Sequence, residues 1–442
     1  MAETIRIGCG AGFAGDRLEP ALVLAARGAL DYLILECLGE RTVALAQLRR
    51  KHDANAGYDV LLERRMIGLL PLIKRNGVRV VTNMGAANPI AAAERVVAVA
   101  RSLGIKVRVA AVTGDDVLDA IDPAQPTLET GEPVASVGPL VSANAYLGID
   151  AILPALEAGA DIVVTGRVAD PSLALAPLAH RFGWSLDDHT RLARGTVVGH
   201  LLECAGQLTG GYYADPGKKD VAGLADLGFP FADVDAEGNA QFGKVEGTGG
   251  VIDLSTVTEQ LLYEVTDPAA YLTPDVSADF STVALRAVAP DQVAVSGAGG
   301  RKRPDTLKVS VGYHAGFIGE GEMSYAGENS AARAKLAGEI VAERLRGAFQ
   351  ELRVDLIGLT ALHTRPMPAE DGYQPYEVRL RVAGRSADEA MARRIGEEVE
   401  ALYTNGPAGG GGARKTITEQ IGVVSCLIAR AKVTPQVTVM DA

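Results

Sequence analysis

Short apolar runs alternate with amphipathic stretches through the first 183 residues, and that alternation sets the expected fold. Runs near residues 5–9, 33–35, 78–81, 107–112 and 161–164 have strand length, while residues 20–30, 40–51, 58–74, 91–103 and 149–158 place apolar positions at helical spacing. Five strands alternating with helices predict a doubly wound, mostly parallel α/β sheet of the Rossmann-like kind. Asn88-Pro89 and Asp170-Pro171 each set a capping side chain before a proline, so helices are expected to begin there. Residues 142–147 read as a polar loop.

Beyond residue 183 the rhythm changes. A helix is expected over 191–208, broken by Thr209-Gly210-Gly211, and a loop-rich stretch leads to a helix near 255–264. From Thr306 onward, strands at 306–313, 352–357, 376–382 and 421–427 enclose helices at 331–349 and after Ser386, giving the order β-α-β-β-α-β of a ferredoxin-like unit. Three segments follow: 1–183, a parallel α/β ligand-binding domain; 184–280, a helical and loop segment completing the site; and 281–442, a ferredoxin-like α+β domain.

With 442 residues, 48% of them hydrophobic, the chain can bury the cores of two or three domains. A net charge of −12 without a basic stripe argues against nucleic acid as partner. No apolar run reaches 18 residues, so no membrane partner is expected, and the amino terminus lacks the pattern of a secretory leader. A cytoplasmic protein, expected as a homo-oligomer, is the consequence. Cys9, Cys37, Cys204 and Cys426 have no C-x-x-C spacing, which excludes a zinc ribbon and gives no disulfide framework.

In wound parallel sheets ligands bind beyond the carboxyl ends of the strands, and polar groups gather at those positions here. Gly10 and Gly12 leave bare backbone beside Asp16 and Arg17. Gly10-x-Gly12-x-x-Gly15 also fits a dinucleotide fingerprint, although Asp16 and Arg17 stand where a pyrophosphate needs uncharged backbone. Glu36 and Asp115 end strands and are candidates for acid and base. Arg17 and Arg167 are candidates to grip a substrate carboxylate, and Asn83 and Asn144 to orient a carbonyl. Asn88 and Asp170 serve equally as helix caps or substrate ligands. His314, which follows a strand near Glu320 and Glu322, is a third catalytic candidate; no metal-ligand spacing accompanies it, so no metal is expected. Gly247, Thr248, Gly249 and Gly250 before a helix form a second candidate anion cradle, and Arg414 after the glycine run at 409–412 is a further anion-binding candidate.

The motifs IGCGAGFAGDR, LDYLILECLGERT, TNMGAANP, VTGDD, VVTGRVADPS, EGTGG with EQLLYEV, and TNGPAGGGG, in this order, resemble the acyclic terpene utilisation protein A (AtuA) family along nearly the whole chain. Longer members resemble this chain plus an additional ferredoxin-like carboxyl-terminal domain, a piece expected to be lacking here. The resemblance implies metabolism of CoA thioesters or branched carboxylic acids, and it brings no established reaction or catalytic residue. A lyase of the hydratase or dehydratase type is the leading expectation, with coenzyme A present only as part of the substrate. An NAD(P)-dependent oxidoreductase and a noncatalytic acyl-CoA-binding or scaffold subunit of a carboxylase or transferase are the alternatives.

Overall fold

The computed structural model describes residues 3–363 and 375–442. They form two units: Met1–Ser136, Leu140–Gly312 and Val423–Ala442 make the larger, Val137–Pro139 and Tyr313–Gly422 the smaller. The larger unit opens with β1 (Thr4–Cys9), α1 (Glu19–Arg27), β2 (Tyr32–Leu35), α2 (Glu40–His52), α3 (Leu62–Asn76), β3 (Arg79–Thr82), α4 (Pro89–Ser102) and β4 (Arg108–Thr113). It continues through β5 (Leu140–Ala145), α5 (Ile149–Glu157), β6 (Ile162–Thr165), α6 (Ser172–Phe182) and α7 (His189–Glu203). Every residue of β2 and β6 is buried. A strand covered on both faces needs a continuous apolar run rather than alternation, and these two segments supply one.

Strands β1, β2, β3, β6 and β4 pair in that order, all parallel. Helices α1, α3 and α4 pack together in one group and α5, α6 and α7 in another. Because β6 slots between β3 and β4, the winding reverses there, which opens a crevice beyond the strands' carboxyl ends.

The sheet does not stop at five strands. It is extended by β7 (Pro230–Asp235) and β8 (Ala240–Lys244), which precede α8 (Leu254–Leu262) and the short strands β9 (Tyr271–Leu272) and β10 (Ser277–Asp279). Next come β11 (Ala284–Ala289), β12 (Gln292–Ser296) and β13 (Gly299–Arg301). Strand β7 lies antiparallel against β1, with Val234 opposite Ile5, and β8, β12 and β11 follow outward. The resulting ten-stranded sheet is mixed, not mostly parallel as the alternation suggested. Its added strands came from a loop-rich stretch where β7 buries only every second residue, an alternation too short to stand out. Likewise residues 142–145, expected as loop, belong to β5, because buried Asn144 finds a partner in the fold that its sequence neighbours do not reveal.

Strand β14 (Thr306–Ala326) leads into the smaller unit, which contains α9 (Ser330–Arg344), β15 (Leu352–Ile357), β16 (Glu377–Ser386), α10 (Glu389–Glu400) and α11 (Leu402–Asn405). Then β17 (Gly411–Ala429) leaves it, and β18 (Gln436–Asp441) pairs antiparallel with β4 in the larger unit. The smaller unit's strands run in the order β15-β16-β14-β17. Met323, Tyr325, Leu380, Ile395 and Val399 form its core. At Gly319 a side chain would strike the Ala392 carbonyl oxygen at 1.9 Å, so helix α10 lies closer to the strand than any other residue permits.

Candidate functional site

A cavity of about 670 Å³ opens in the larger unit where the loops after β1, β2 and β6 meet the carboxyl end of α7. Six carboxylic residues line it, Asp16, Glu36, Glu40, Asp170, Glu203 and Glu264, against a single arginine, Arg17. Phe13, Leu38, Leu224, Leu227, Phe229 and Tyr263 supply apolar wall. Gly12 shapes the floor: a Cβ there would lie 2.6 Å from the Cys204 carbonyl carbon, so only a bare backbone lets the β1 loop meet the end of α7.

Two glutamates follow β2, Glu36 in the loop and Glu40 at the start of α2, and their carboxyls are shifted in opposite directions. Glu36 Oε1 accepts from Asn83 Nδ2 at 2.9 Å and from the Leu38 N–H at 2.8 Å. Burial, with Asp170 nearby, nevertheless pushes its carboxyl up to about 8, although Arg167 works against the shift. Four residues on, burial also raises Glu40, but the Tyr146 hydroxyl donates to its Oε1 and Lys308 stands 3.2 Å away, so its carboxyl ends lowered to about 2. The Glu36 carboxyl is thus biased toward its protonated form and Glu40 toward its ionised form.

Behind the carboxylates lies Arg167, 1% exposed. Its guanidinium donates to Asp170 Oδ1 and to the Leu38 carbonyl, and it stacks 4.3 Å from the Tyr146 ring centre. Its backbone N–H donates to Asp115 Oδ2 at 2.9 Å, which also accepts from Asn144 Nδ2 at 2.8 Å. Burial raises the Asp115 carboxyl to about 6. A Cβ at Gly166 would sit 2.4 Å from Asp115 Oδ1, so the glycine of the T-G-R turn makes room for that carboxylate. Cys37 N–H donates in turn to Asn83 Oδ1 at 2.7 Å. One hydrogen-bonded chain, passing from Glu36 to Arg167 through the Leu38 backbone, thus joins Asn83, Glu36, Arg167, Asp170, Asp115 and Asn144.

These residues do not all face the cavity. Asp16, Arg17, Gly12, Glu36 and Asp170 line it, while Asn83, Asn144, Asp115 and Arg167 stand behind its wall. Arg17 is itself tied to the Leu224 and Ala225 carbonyls at 3.0 and 3.2 Å. Asp16 Oδ2 accepts the Gly12 N–H at 2.8 Å, so a side-chain carboxylate occupies the donor that a pyrophosphate would need, and helix α1 begins only at Glu19. Gly10 packs against Ala21, where a Cβ would come within 2.9 Å. Asn88 caps α4 through the Ala91 N–H at 3.3 Å and donates to the Ala54 and Ala56 carbonyls.

The second glycine turn is built differently from its expected role. Helix α8 is capped by Asp253, which takes the Ser255 and Thr256 N–H groups at 2.8 and 2.9 Å, leaving those donors used. Thr248 turns its hydroxyl to the Val245 carbonyl, and Gly249 and Gly250 pack on the backbone of Gly223 and Thr209, with Gly247 at positive φ completing the turn. In the smaller unit, His314 Nε2 lies 3.1 Å from Glu419, whereas Glu320 and Glu322 pair with Arg381 and Arg379. Arg414 lies on β17. Among the described residues no three His, Cys, Asp or Glu side chains converge as a metal site.

Residues from beyond position 183 complete the cavity; Gly211 lies at the expected helix break and Tyr263 and Glu264 in the EQLLYEV motif, but no sequence signal marked Glu203. Glu203 ends α7, with His200 one turn earlier and Nδ1 2.9 Å from Glu203 Oε1. Tyr212 and Glu264 hold left-handed backbone, φ 61° and 58°, at the rim. Such strained non-glycine positions gather where surrounding structure fixes a site.

The family described as Acyclic terpene utilisation family protein AtuA has a model that matches residues 5–439. The chain belongs to the AtuA family. No curated protein and no solved structure matches it. The AtuA match covers every loop of the cavity, from Gly12 to Glu264. The family's description ties the chain to the use of acyclic terpenes. Among the described residues no helix is long and apolar enough to cross a membrane.

Proposed function

We propose that the protein is a lyase of the hydratase or dehydratase type, acting on the branched acyclic acyl group of a terpene-derived CoA thioester. The observation that carries this reading is the buried Glu36 carboxyl, one oxygen of which is taken by Asn83 and the Leu38 N–H, in one cavity with Glu40 at the start of α2. Both protein hydrogen bonds to Glu36 fall on Oε1, which leaves Oε2 to bring a proton to a substrate. Adding a proton to a double bond, or to a departing hydroxyl, builds positive charge on carbon; carboxylates around it stabilise that charge. The same ring of carboxylates repels a free anion, so any CoA phosphates stay outside and only the acyl end enters. The apolar wall of Leu38, Leu227 and Phe229 suits a branched hydrocarbon chain.

Asp115 and Arg167 hold the loop that carries the acid. We further read the larger unit as Rossmann-like and the smaller, with its β-α-β-β-α-β order, as ferredoxin-like. The test is a panel of acyclic ten-carbon isoprenoid alcohols, their acids and CoA thioesters, screened for thermal stabilisation and for gain or loss of water by mass spectrometry. Turnover of one panel member, lost in Glu36→Gln, supports the reading. A panel that neither stabilises nor turns over sinks it.

A further inference from the structure

Glu203 and His200 form a second proton-handling group that the acid Glu36 does not explain. Glu203 is the last residue of α7 and lies on the cavity wall, only 8% exposed. Its Oε1 meets His200 Nδ1 at 2.9 Å, while its Oε2 is buried without a hydrogen-bond partner among the described residues. The imidazole is flanked by aromatic neighbours, with Tyr271 and Phe280 ring centres 5.4 and 5.6 Å away, while Gln260 donates to the His200 backbone carbonyl at 3.1 Å. An unpartnered carboxylate oxygen in a wall costs free energy unless something enters to use it.

We propose that Glu203, positioned by His200, is the proton-accepting carboxylate of this cavity and works with Glu36 on a neutral, branched acyclic substrate. This rests on the hydration and dehydration reading above and names its base. In the dehydration direction the Glu36 O–H proton passes to the leaving hydroxyl, the C–O bond breaks and water departs. Glu203 Oε2 takes the proton from the neighbouring carbon, and that C–H electron pair becomes the double bond. Glu36 ends as carboxylate and Glu203 as acid; exchange with solvent resets both, and hydration is the reverse. His200 is a positioning residue, since it touches Glu203 and not the substrate.

The charged and titratable groups around Glu203 bear on its ionisation. His200 favours the carboxylate, whereas Asp170 from the β6 loop and Glu264 beyond α8 oppose it, and burial opposes it most, which together raise the Glu203 carboxyl to about 7. Cys204 and Tyr271, both raised by burial and by Glu203 itself, and Cys9, raised chiefly by burial with its Sγ 3.7 Å from the Glu203 carbonyl, are further titratable neighbours, and none competes as an anion.

An epoxide tests the pair without knowledge of the natural substrate. The probe is racemic 2,3-epoxygeraniol, a neutral acyclic ten-carbon epoxy alcohol, incubated with the full-length protein. Glu203 Oε2 attacks a ring carbon, that C–O bond breaks, and the oxygen takes the Glu36 proton, leaving a hydroxy ester. Peptide mass spectrometry of the wild-type protein is expected to find one ester, on Glu203, absent in Glu203→Gln and formed at least about tenfold more slowly in Glu36→Gln. The lower pH limb of labelling is expected to move up by about one unit in His200→Gln, because the imidazolium no longer favours the carboxylate; a merely structural histidine would leave it in place. A thioether on Cys204 or an ester on Asp16 or Glu264 instead, or no ester on Glu203 at all, overturns the proposal even if the panel reveals turnover. An ester on Glu203 with no turnover of any panel member supports the ionised, His200-backed carboxylate and removes the hydration reading alone.

Discussion

Glu36 and Glu40 stand four residues apart, one in the loop after β2 and the other opening α2, yet burial pushes the first carboxyl up while a hydroxyl and a lysine pull the second down. The difference comes from their neighbours. Asn83 and the Leu38 N–H satisfy one Glu36 oxygen inside an apolar wall, whereas Tyr146 and Lys308 bring a hydroxyl and a cation to Glu40.

Glu36→Gln is expected to lower turnover by roughly 10²- to 10⁴-fold, the usual contribution of a positioned acid. The amide keeps an acceptor for Asn83 and Leu38, so the fold should persist. Steady-state rates on a panel substrate check this; a loss under about tenfold means that Glu36 is not the acid.

The same substitution has a signature in stability against pH. Glu36 is raised in the folded state, so its favourable contribution is complete below its ordinary value of 4.5 and disappears as pH rises through about 8. Glutamine does not titrate. The melting temperature of Glu36→Gln relative to wild type is therefore expected to climb between pH 5 and 8, and a flat difference contradicts the raised carboxyl.

Glu40→Gln should show the opposite trend. The folded Glu40 carboxyl is lowered to about 2, so its contribution is present above 4.5 and fades as pH falls through 2. Relative to wild type, the variant should be destabilised at pH 6 and should converge with it in acid. Thermal melts from pH 6 down to the lowest pH at which both fold will show whether the gap closes.

Asp115→Ala leaves the Arg167 N–H and the Asn144 amide as buried donors without an acceptor. A loss of about 2–4 kcal/mol in urea denaturation is expected, since each unsatisfied buried group costs about 1–3 kcal/mol. The milder Asp115→Asn keeps one acceptor and should retain turnover within about tenfold of wild type, well short of the loss expected for a proton-transferring group. A greater loss of rate with full stability would make Asp115 a reacting group after all.

Gly12→Ala drives a methyl group into the Cys204 backbone at 2.6 Å, where neither partner is a flexible side chain. Overpacking of this kind costs about 1–3 kcal/mol. Because the displaced segment carries Glu203, ligand-induced stabilisation should fall along with the melting temperature. An alanine variant with unchanged melting and binding would mean that the β1 loop yields freely.

Much of this protein is legible in the order of its residues. Continuous apolar runs such as Tyr32-Leu33-Ile34-Leu35 can only be buried on both faces, so the five parallel strands, and the polar loops at their carboxyl ends, follow from pattern alone. The chain also shows the family through its glycine-rich and acidic motifs, and it makes Glu36, Asp16 and Asp170 candidates because they end strands or open helices. The antiparallel strands that make the sheet mixed stayed hidden. Strand β7 is short and only half buried, and its pairing with β1 joins residues more than 220 positions apart, a choice that local propensity does not encode.

The division of labour among the polar residues also belonged to the tertiary structure. Asp115 and Glu36 look alike in sequence, each an acid at a strand end; folding turns one toward Arg167 and Asn144 and leaves the other against the cavity. Glu203 and His200 lie on a helix whose sequence gives no hint of a site, and only the approach of Gly12 to the end of that helix brings them to it. Charge state is set by burial and by neighbours distant along the chain, so a carboxyl's chemistry emerges only when the chain has closed around it.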